Sequence, residues 1–410
     1  MQFCNKTPFD AMDYSRTDAH GTRHRIAVMV VGYRLRPGPH GRYGLSPIDD
    51  EPLPLACGDM HHDNDFAASL LRESDLVPTK HHCDVLVIGH AYSPKPAQLF
   101  EARLQVQRDG QALIDKTLSF YGERQFQHVP GLSSALRANL DPAMAYQLPP
   151  AKPTTAVPLR YELAFGGACQ IANRPDHPAS EPDWLINEVC FANPIGCGWL
   201  ERDALHAWRR AGQTPPSTLP APRILYYRDY VERVSLTRQR GPHSPTEMAE
   251  VRYPHRVAGF GPLGKAWAPR LVRAGTYDEA WEIERMPLPP KDIDMHYWNG
   301  APDDQQMPHP TPHLADYRLT LDNLCPGGGR MSFSLPRHCA YVLLRMHSGL
   351  ILPVDMDIDT LEINTDAIGG PQLRVVWRLG IPETLDVRAV DVGFVTQPDA
   401  PRLRIWPHKG

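Results

Sequence analysis

The sequence predicts a mainly β protein, in which antiparallel sheets form a sandwich- or barrel-like arrangement with long loops and few short helices. Three observations support this fold class. The clearest hydrophobic periodicity along the chain has period two, which is typical of strands. Proline accounts for 43 of the 410 residues, above the roughly 5% of an average protein, and so favours turns and strand edges over long helices. Helical patterns are confined to two short stretches, 65–73 and 202–210.

The best-defined predicted element is a hairpin. Residues 100–107 alternate apolar and polar side chains, as in a strand with one buried face. They run into Asp109-Gly110, a pair that accepts the left-handed backbone of a two-residue turn. The apolar residues of 112–120 then return as the partner strand.

The other predicted elements follow from the same patterns. Further strands are predicted at 26–33, 84–89, 158–165 and 373–379, and a second hairpin joins 341–346 to 350–354. Three segments rich in Pro, Gly or Asn are predicted to be long loops: 141–157, 166–222 and 299–316. A soft boundary near 317–330 divides the chain into a β domain with long loops, 1–320, and a strand-rich C-terminal segment, 321–410, packed on it.

Charge and composition argue against several classes of partner. The net charge is −4 and 22% of residues are charged, so neither nucleic acid nor an anionic membrane is indicated as a partner. No basic segment followed by an apolar stretch opens the chain, and the early apolar run 26–31 is far shorter than the ~20 residues of a spanning helix. The eight cysteines contain no CxxC pair. We therefore expect reduced thiols in a cytoplasmic protein.

The 19 histidines raise the question of a metal site. His61-His62 and His81-His82 are tandem pairs, but adjacent residues on a strand point to opposite faces and rarely supply two ligands to one ion. His20 and His24 are four residues apart, but they lack the glutamate of the metalloprotease helix. We interpret all of them as solvated or hydrogen-bonded loop histidines, and expect no metal and no other cofactor.

The acidic and nucleophilic motifs are incomplete. Residues 355–359 have the acidic spacing that opens a calcium loop, but Thr360 stands where that loop needs glycine, so a strand with one wet face is the better interpretation. No GxSxG elbow, P-loop or Rossmann fingerprint occurs, and no catalytic residue is assigned. One alternative is a hydrolase that uses acidic loop residues: Asp292, Asp294, His296, Asp303 and Asp304. Another is a carbohydrate-binding β module, which needs a row of exposed aromatic rings.

Short phrases of glycine, proline and aromatic residues recur in a fixed order along the chain. They begin at Gly89-His90-Ala91-Tyr92 and continue through 158–167, 193–199, 259–262 and 267–281 to 301–305. The residues that carry the signature are Gly89, His90, Tyr92, Tyr161, Glu162, Phe165, Gly166, Gly167, Asn193, Pro194, Gly196, Gly259, Phe260, Gly261, Pro262, Trp267, Gly275, Thr276, Tyr277, Trp281, Asp303 and Gln305. In this order, over roughly residues 5–380, the chain resembles the bacterial domain-of-unknown-function family 2169.

The resemblance implies an adaptor or chaperone-like accessory protein of type VI secretion. Its expected partners are a secreted effector and, with it, the spike protein onto which the effector is loaded. No catalytic residues accompany the resemblance, so none is carried over. The signature residues also have a structural interpretation, in which the glycines permit positive φ or close backbone approach and the aromatics anchor loops onto the sheets. Both interpretations stay open at this point.

Overall fold

A computed structural model describes residues 2–128, 146–172, 185–198, 216–226, 256–310 and 316–397 of the chain. The described residues are 48% strand and 8% helical, with multiple antiparallel sheets. The predicted mainly β class is therefore confirmed, and the arrangement is sandwich-like, because none of the described sheets closes on itself. Within the described residues no helix is long and apolar enough to cross a membrane.

The strands range in length from two residues to fifteen. The chain up to residue 225 contributes β1 (Gln2–Asn5), β2 (Asp10–Thr17), β3 (Arg23–Pro37), β4 (Tyr43–Pro47), β5 (Met60–His61), β6 (Leu70–Arg72), β7 (Cys83–Ile88), β8 (His90–Ala97), β9 (Leu99–Arg108), β10 (Gln111–Tyr121), β11 (Gln125–His128), β12 (Tyr146–Gln147), β13 (Thr154–Pro158), β14 (Phe165–Gly166), β15 (Ala168–Ala172), β16 (Leu185–Val189), β17 (Cys197–Gly198), β18 (Thr218–Pro220) and β19 (Ile224–Leu225). The second half contributes helices α1 (Ala268–Leu271) and α2 (Glu279–Glu284), then β20 (Gln306–Met307), β21 (Tyr317–Asp322), β22 (Arg330–Ser334), β23 (Cys339–Met346), β24 (Ile351–Asp355), β25 (Asp357–Asn364), β26 (Gln372–Pro382) and β27 (Val387–Val395).

Three sheets form the body of the molecule. The largest has seven strands in the order β2-β3-β26-β25-β7-β20, with β4 paired to β3. A five-stranded sheet has the order β19-β10-β9-β21-β22, and a four-stranded sheet has the order β1-β27-β23-β24. Strands of the segment 321–410 pair directly with strands from the first 90 residues: β26 with β3, and β25 with β7.

One face of the seven-stranded sheet makes the main apolar core. Its alternate residues, among them Met29, Leu361 and Trp377, pack in one cluster with side chains of the other two sheets, such as Leu104 and Val392. All five side chains are buried. Because successive strand residues point to opposite faces, the intervening residues of the same strands lie on the opposite face.

That opposite face is also buried. It carries charged residues beside the apolar side chains of Val28, Val30 and Val376, which pack with Leu55 of the segment above. On β26, Arg374 is 3% exposed and Arg378 is 2% exposed, although both alternate with apolar residues as if they faced water. Segment 53–82 covers them: Asp75 pairs with Arg374, and the carbonyls of Asp75 and Val77 accept from Arg378. The ion pairs of this layer are Arg374–Asp75, Arg378–Asp359, Lys80–Asp84, Arg72–Glu362 and Arg270–Glu73. We call this layer the charged face.

Both predicted hairpins are present. β9 and β10 pair through Asp109-Gly110, whose φ values of 49° and 85° are the left-handed values of the expected turn. β23 and β24 pair as predicted. Residues 355–359 span the end of β24 and the start of β25, with Met356 between the two strands. The expected wet face is wrong at Asp359, which is 1% exposed.

Other predicted elements need correction. Residues 158–165 are not one strand, because β13 ends at Pro158 and a 3₁₀ turn occupies 161–163 before β14. The predicted helix over 65–73 is wrong: only a short turn and the strand β6 occur there, and the backbone of Ala68 and Ser69 bonds to neighbouring loop residues. The predicted helix over 202–210 lies outside the described residues.

The three segments predicted to be loops also contain short strands. The described parts of 166–222 contain five short strands, β14 to β18, and the described parts of 141–157 contain β12 and the start of β13. The segment 299–316 contains β20, which is an edge strand of the seven-stranded sheet. Strands of so few residues are too short to be recognised by an alternating pattern of apolar and polar side chains.

Candidate functional site

The signature residues of the middle of the chain form one packed unit around Tyr161. Tyr161 is 2% exposed, and its hydroxyl donates to the carbonyl of Gly261 at 2.7 Å. Its ring meets Trp267 edge-on, with ring centroids 5.2 Å apart. A Cβ on Gly259 would overlap the Tyr161 ring, so this glycine is required by close approach.

A buried asparagine holds the next turn of this unit. The Asn193 side-chain amide donates to the carbonyls of Tyr161 at 2.9 Å and Phe165 at 3.1 Å. Gly166 and Gly196 lie so close to Asn193 that a Cβ on either would overlap it. Gly167 has a φ of 98°, and Pro194 is half-buried beside it, whereas Phe260 and Pro262 are buried. Trp199, the last residue of the predicted phrase, lies outside the described residues.

Glu162 ties this unit to the segment that covers the charged face. Its carboxylate accepts from the backbone N–H of Ser69 at 2.8 Å and from the Ser69 hydroxyl at 2.7 Å. Two carboxylate oxygens on one residue fix a loop more firmly than a single hydrogen bond does.

The first signature phrase forms a small exposed cluster with Asp366. His90 Nδ1 and the Tyr92 hydroxyl bond to opposite oxygens of the Asp366 carboxylate, the tyrosine at 2.7 Å. Gly89 has a φ of 125°, and a Cβ there would overlap Thr365. The cluster joins β8 to the loop after β25.

The phrase at 301–305 surrounds a buried lysine on β10. Lys116 is 2% exposed, and its ammonium donates to Asp304 at 2.9 Å and to Gln305 at 2.7 Å. Gln305 in turn donates to the carbonyls of Val85 and Phe260. Burial lowers the pKa of Lys116 to about 8, against the opposing effect of Asp304.

The signature residues near the two helices are more exposed. Thr276 donates from its backbone and hydroxyl to Asp292 at 3.0 and 2.7 Å, and Gly275 before it has a φ of 85°. Trp281 donates its indole N–H to the carbonyl of Leu288 at 2.9 Å, and its ring lies 4.6 Å from that of Tyr277. Asp303, at the start of the last phrase, makes a bidentate pair with an arginine of the same region.

Large apolar side chains are exposed in this helical region. Within sixteen residues the exposed ones are Leu271, Val272, Tyr277, Ile283 and Met286, with exposed fractions between 40% and 76%. We call these five residues the apolar patch. The exposed acids Glu279, Glu282 and Glu284 stand between them on α2. Several large exposed apolar side chains in one short segment make this region a candidate interaction surface.

A cavity of about 770 Å³ is lined in part by the residues that follow Met286 in the chain. Pro287, Leu288 and Trp298 line one side of it, and the β2–β3 hairpin lines the other. On the hairpin side, His24 Nε2 lies 3.0 Å from an oxygen of Asp18. The volume is in the range of sites that hold a small ligand or a short peptide segment.

The structure also brings together three histidines that are far apart in the sequence. One ring nitrogen from each of His81, His82 and His296 lies within 4.8 Å of the others. We call these three residues the histidine cluster. His82 Nδ1 and His296 Nε2 are 3.1 Å apart, and the rings of His81 and His296 have centroids 4.2 Å apart. Burial, with the neighbouring imidazoles, lowers the pKa of His82 and so favours its neutral form.

Sequence reasoning did not find this cluster. The interpretation of His81-His82 as strand residues with diverging side chains is wrong, because the pair lies in a bend before β7 and the two ring centroids are 4.8 Å apart. His296 lies 214 positions from His82. The nearest signal in the sequence is Asp294, two residues before His296, because it places a carboxylate beside the ring.

The acidic residues of the hydrolase alternative each have a partner of their own. Asp292 accepts from Thr276, Asp294 accepts from His296, and Asp303 and Asp304 form ion pairs with Arg273 and with Lys116. None of the four acids lines the cavity of about 770 Å³. The large aromatic side chains exposed in the described residues are Phe66 and Tyr277, which stand in different segments of the chain.

A comparison with known families finds one match over most of the chain. The model of a family described as an uncharacterized protein conserved in bacteria, DUF2169, matches residues 20–378. No curated protein and no solved structure matches the chain.

Proposed function

The chain belongs to the bacterial DUF2169 family, and we propose that it is an adaptor that binds an effector of the type VI secretion system and helps to load it onto the spike complex. This chaperone-like accessory role takes place in the cytoplasm, before export. Support for the secretion context comes from the ordered glycine, proline and aromatic phrases. Support for protein binding comes from the surface of the helical region.

The observation that carries the proposal is the apolar patch, together with the cavity lined by Pro287 and Leu288, which follow it in the chain. Ile283 is 76% exposed and Met286 is 65% exposed, on a segment that is otherwise held firmly. That segment is anchored by Asp292 to Thr276 and by the indole N–H of Trp281. A fixed apolar surface suits a partner because its side chains lose little conformational freedom on binding.

The charges around the patch indicate the chemistry of the partner segment. Glu279, Glu282 and Glu284 are exposed beside Ile283, so the rim of the patch is acidic. An effector segment with apolar anchors and basic neighbours is complementary to this surface. Such complementarity mainly sets specificity and the association rate.

The size of the interface sets what the experiment should find. A specific complex buries on the order of 1,200–2,000 Å² in total. The apolar patch supplies the centre of such an interface, where a few residues carry most of the binding energy. Loading also requires release, so we expect an affinity between about micromolar and nanomolar, or about −8 to −12 kcal/mol.

The first test is a tagged pull-down from the native bacterium, with mass spectrometry of the proteins that co-elute. We expect one secreted effector, recovered with or without the spike protein. Deletion of the gene for this chain should abolish delivery of that effector and leave other effectors unaffected.

Variants locate the interface. Ile283→Asp combined with Met286→Asp should reduce recovery of the effector by at least tenfold and should leave the folded fraction unchanged. Ile368→Asp is the matched control, because Ile368 is 99% exposed on a different loop and should retain the effector. If deletion leaves effector delivery intact and no effector co-elutes, the adaptor role is wrong. If the double variant retains the effector as well as the control does, the apolar patch is not the interface.

A further inference from the structure

We propose that the histidine cluster, His81, His82 and His296, is a binding site for a divalent transition metal of the zinc class, with one coordination position left open. This inference does not depend on the adaptor role. It rests on the convergence of three imidazoles and on the hydrogen bonds that orient two of them.

The spacing of the ring nitrogens fits one ion. Zn–N bonds of about 2.0–2.1 Å in a tetrahedron place two ligand nitrogens roughly 3.3–3.4 Å apart. His82 Nδ1 and His296 Nε2 are 3.1 Å apart. A ring nitrogen of His81 lies within 4.8 Å of the other two, and this side chain is exposed, so closing on one ion requires it to change rotamer.

A carboxylate orients His296 in the way that is usual for metal ligands. Asp294 Oδ1 lies 2.7 Å from His296 Nδ1 and also accepts the backbone N–H of His296 at 2.9 Å. The ionised carboxylate accepts a hydrogen bond from Nδ1–H, so the proton of the neutral ring stays on Nδ1. The lone pair on Nε2 therefore points towards His82. Partners of this kind fix the tautomer of a ligand and raise its basicity.

His82 is fixed through a buried amide. Its carbonyl accepts from the Asn299 side chain at 2.7 Å, and the same amide donates to Asp84 at 2.8 Å. Asn299 is 1% exposed and Asp84 is 0% exposed. The bend before β7 and the 3₁₀ turn at 295–298 are thus joined on the protein side, so the site is held on two rigid segments and not on free loop ends.

Three imidazole ligands favour zinc and neighbouring transition metals over calcium or magnesium, which prefer oxygen ligands. A site with three protein ligands leaves a position for water or for a side chain of another molecule. The partial exposure of the cluster is consistent with an open position that solvent can reach.

The test uses the full chain with its affinity tag removed and its metal stripped by a chelator. Zinc chloride is titrated by calorimetry, and Co²⁺ is added separately to record the absorption bands of a low-symmetry, nitrogen-ligated ion. We expect one equivalent of Zn²⁺ per chain. His296→Gln should weaken Zn²⁺ binding by at least 100-fold, and Asp294→Asn by about 10- to 100-fold.

His347→Gln is the matched control, because His347 is exposed outside the cluster and its loss should leave the affinity unchanged. Circular dichroism of the metal-free variants reports whether they fold. If His296→Gln does not fold, the exposed residue His81 supplies a second variant, His81→Gln, with the same expected direction. The proposal is overturned if the wild type binds no Zn²⁺, or if His82→Gln combined with His296→Gln binds it as tightly as the wild type.

Discussion

Both faces of the seven-stranded sheet carry buried side chains, but on one of them buried ion pairs are added to the apolar packing. On one face, side chains such as Leu361 and Trp377 pack against two further sheets in a single apolar cluster. On the other, Arg374 and Arg378 are held by Asp75 and Asp359 beneath covering loops. The apolar face needs only volume and shape, whereas each ion on the charged face needs its own partner.

This difference explains where the candidate sites lie. The histidine cluster stands at the margin of the charged face, where Asn299 and Asp84 connect it to the buried polar network. Polar groups that are fixed by a buried network are pre-oriented, which is what a ligand site requires. The side chains of the apolar face are instead buried against the other sheets.

The largest expected effect is on the charged face. Arg378→Met leaves the Asp359 carboxylate buried without its cation, and it also removes hydrogen bonds to the carbonyls of Asp75 and Val77. We expect the free energy of unfolding to fall by about 3–5 kcal/mol, measured by urea denaturation. Arg103→Met is the matched control on an exposed pair, with an expected loss of about 0.2–1 kcal/mol.

A double variant sharpens this comparison. Asp359→Leu combined with Arg378→Met removes both charges, so it should recover a substantial part of the stability lost in Arg378→Met alone. Equal losses in Arg378→Met and Arg103→Met would mean that burial of the pair does not govern its contribution.

The apolar face should respond by cavity formation. Leu361→Ala removes a fully buried side chain, and we expect a loss of about 2–5 kcal/mol in the free energy of unfolding. Leu385→Ala is the control, because Leu385 is 44% exposed and should change stability by no more than about 0.5 kcal/mol. A loss in Leu361→Ala no greater than in the control would show that the core around this residue collapses without cost.

The buried ammonium of Lys116 lies close to the aromatic rings of Tyr226 and Phe260. Burial lowers its pKa in the folded protein from 10.5 to about 8. Below about pH 8 the lysine is charged in both states. Between that value and about 10.5 only the unfolded chain keeps the proton, so raising the pH favours the folded state, by about 3 kcal/mol in total.

The measurement is the free energy of unfolding of the wild type minus that of Lys116→Met, followed from pH 7 to pH 10.5. Taking the difference removes the titration of tyrosines, which is common to both proteins. The difference should rise through this range. A flat or falling difference would contradict a lowered pKa for Lys116.

The sequence predicts the apolar face well and the charged face poorly, for a physical reason. The hairpin of 100–120 and the alternation of Leu373, Val375 and Trp377 depend on neighbours along one strand, so period two is sufficient to recognise them. The burial of Arg374 depends on Asp75, which is 299 positions away. An alternating arginine looks the same in the sequence whether water or a covering loop lies above it.

The same limit applies to the candidate sites. Gly259 and Tyr161 were recognisable as signature residues, but only the fold shows that the glycine gives room to the ring. His82 and His296 have no spacing in common, since they meet through the connection of two loops. The mistaken strand over 158–165 has a local cause, because Pro158 ends β13 and a 3₁₀ turn follows.

The smallest expected effect compares two signature tyrosines, one buried and one exposed. Tyr161→Phe removes the hydroxyl that donates to the Gly261 carbonyl and leaves this carbonyl buried without a donor. We expect a loss of about 1–2 kcal/mol in the free energy of unfolding, measured by urea denaturation. Tyr277→Phe, at a residue that is 56% exposed, should change stability by no more than about 0.5 kcal/mol. If Tyr161→Phe loses no more stability relative to the wild type than Tyr277→Phe does, Tyr161 does not stabilise the fold through its hydroxyl. If Tyr277→Phe alone lowers effector recovery, then the signature contains both structural residues and partner-binding residues, and exposure separates the two.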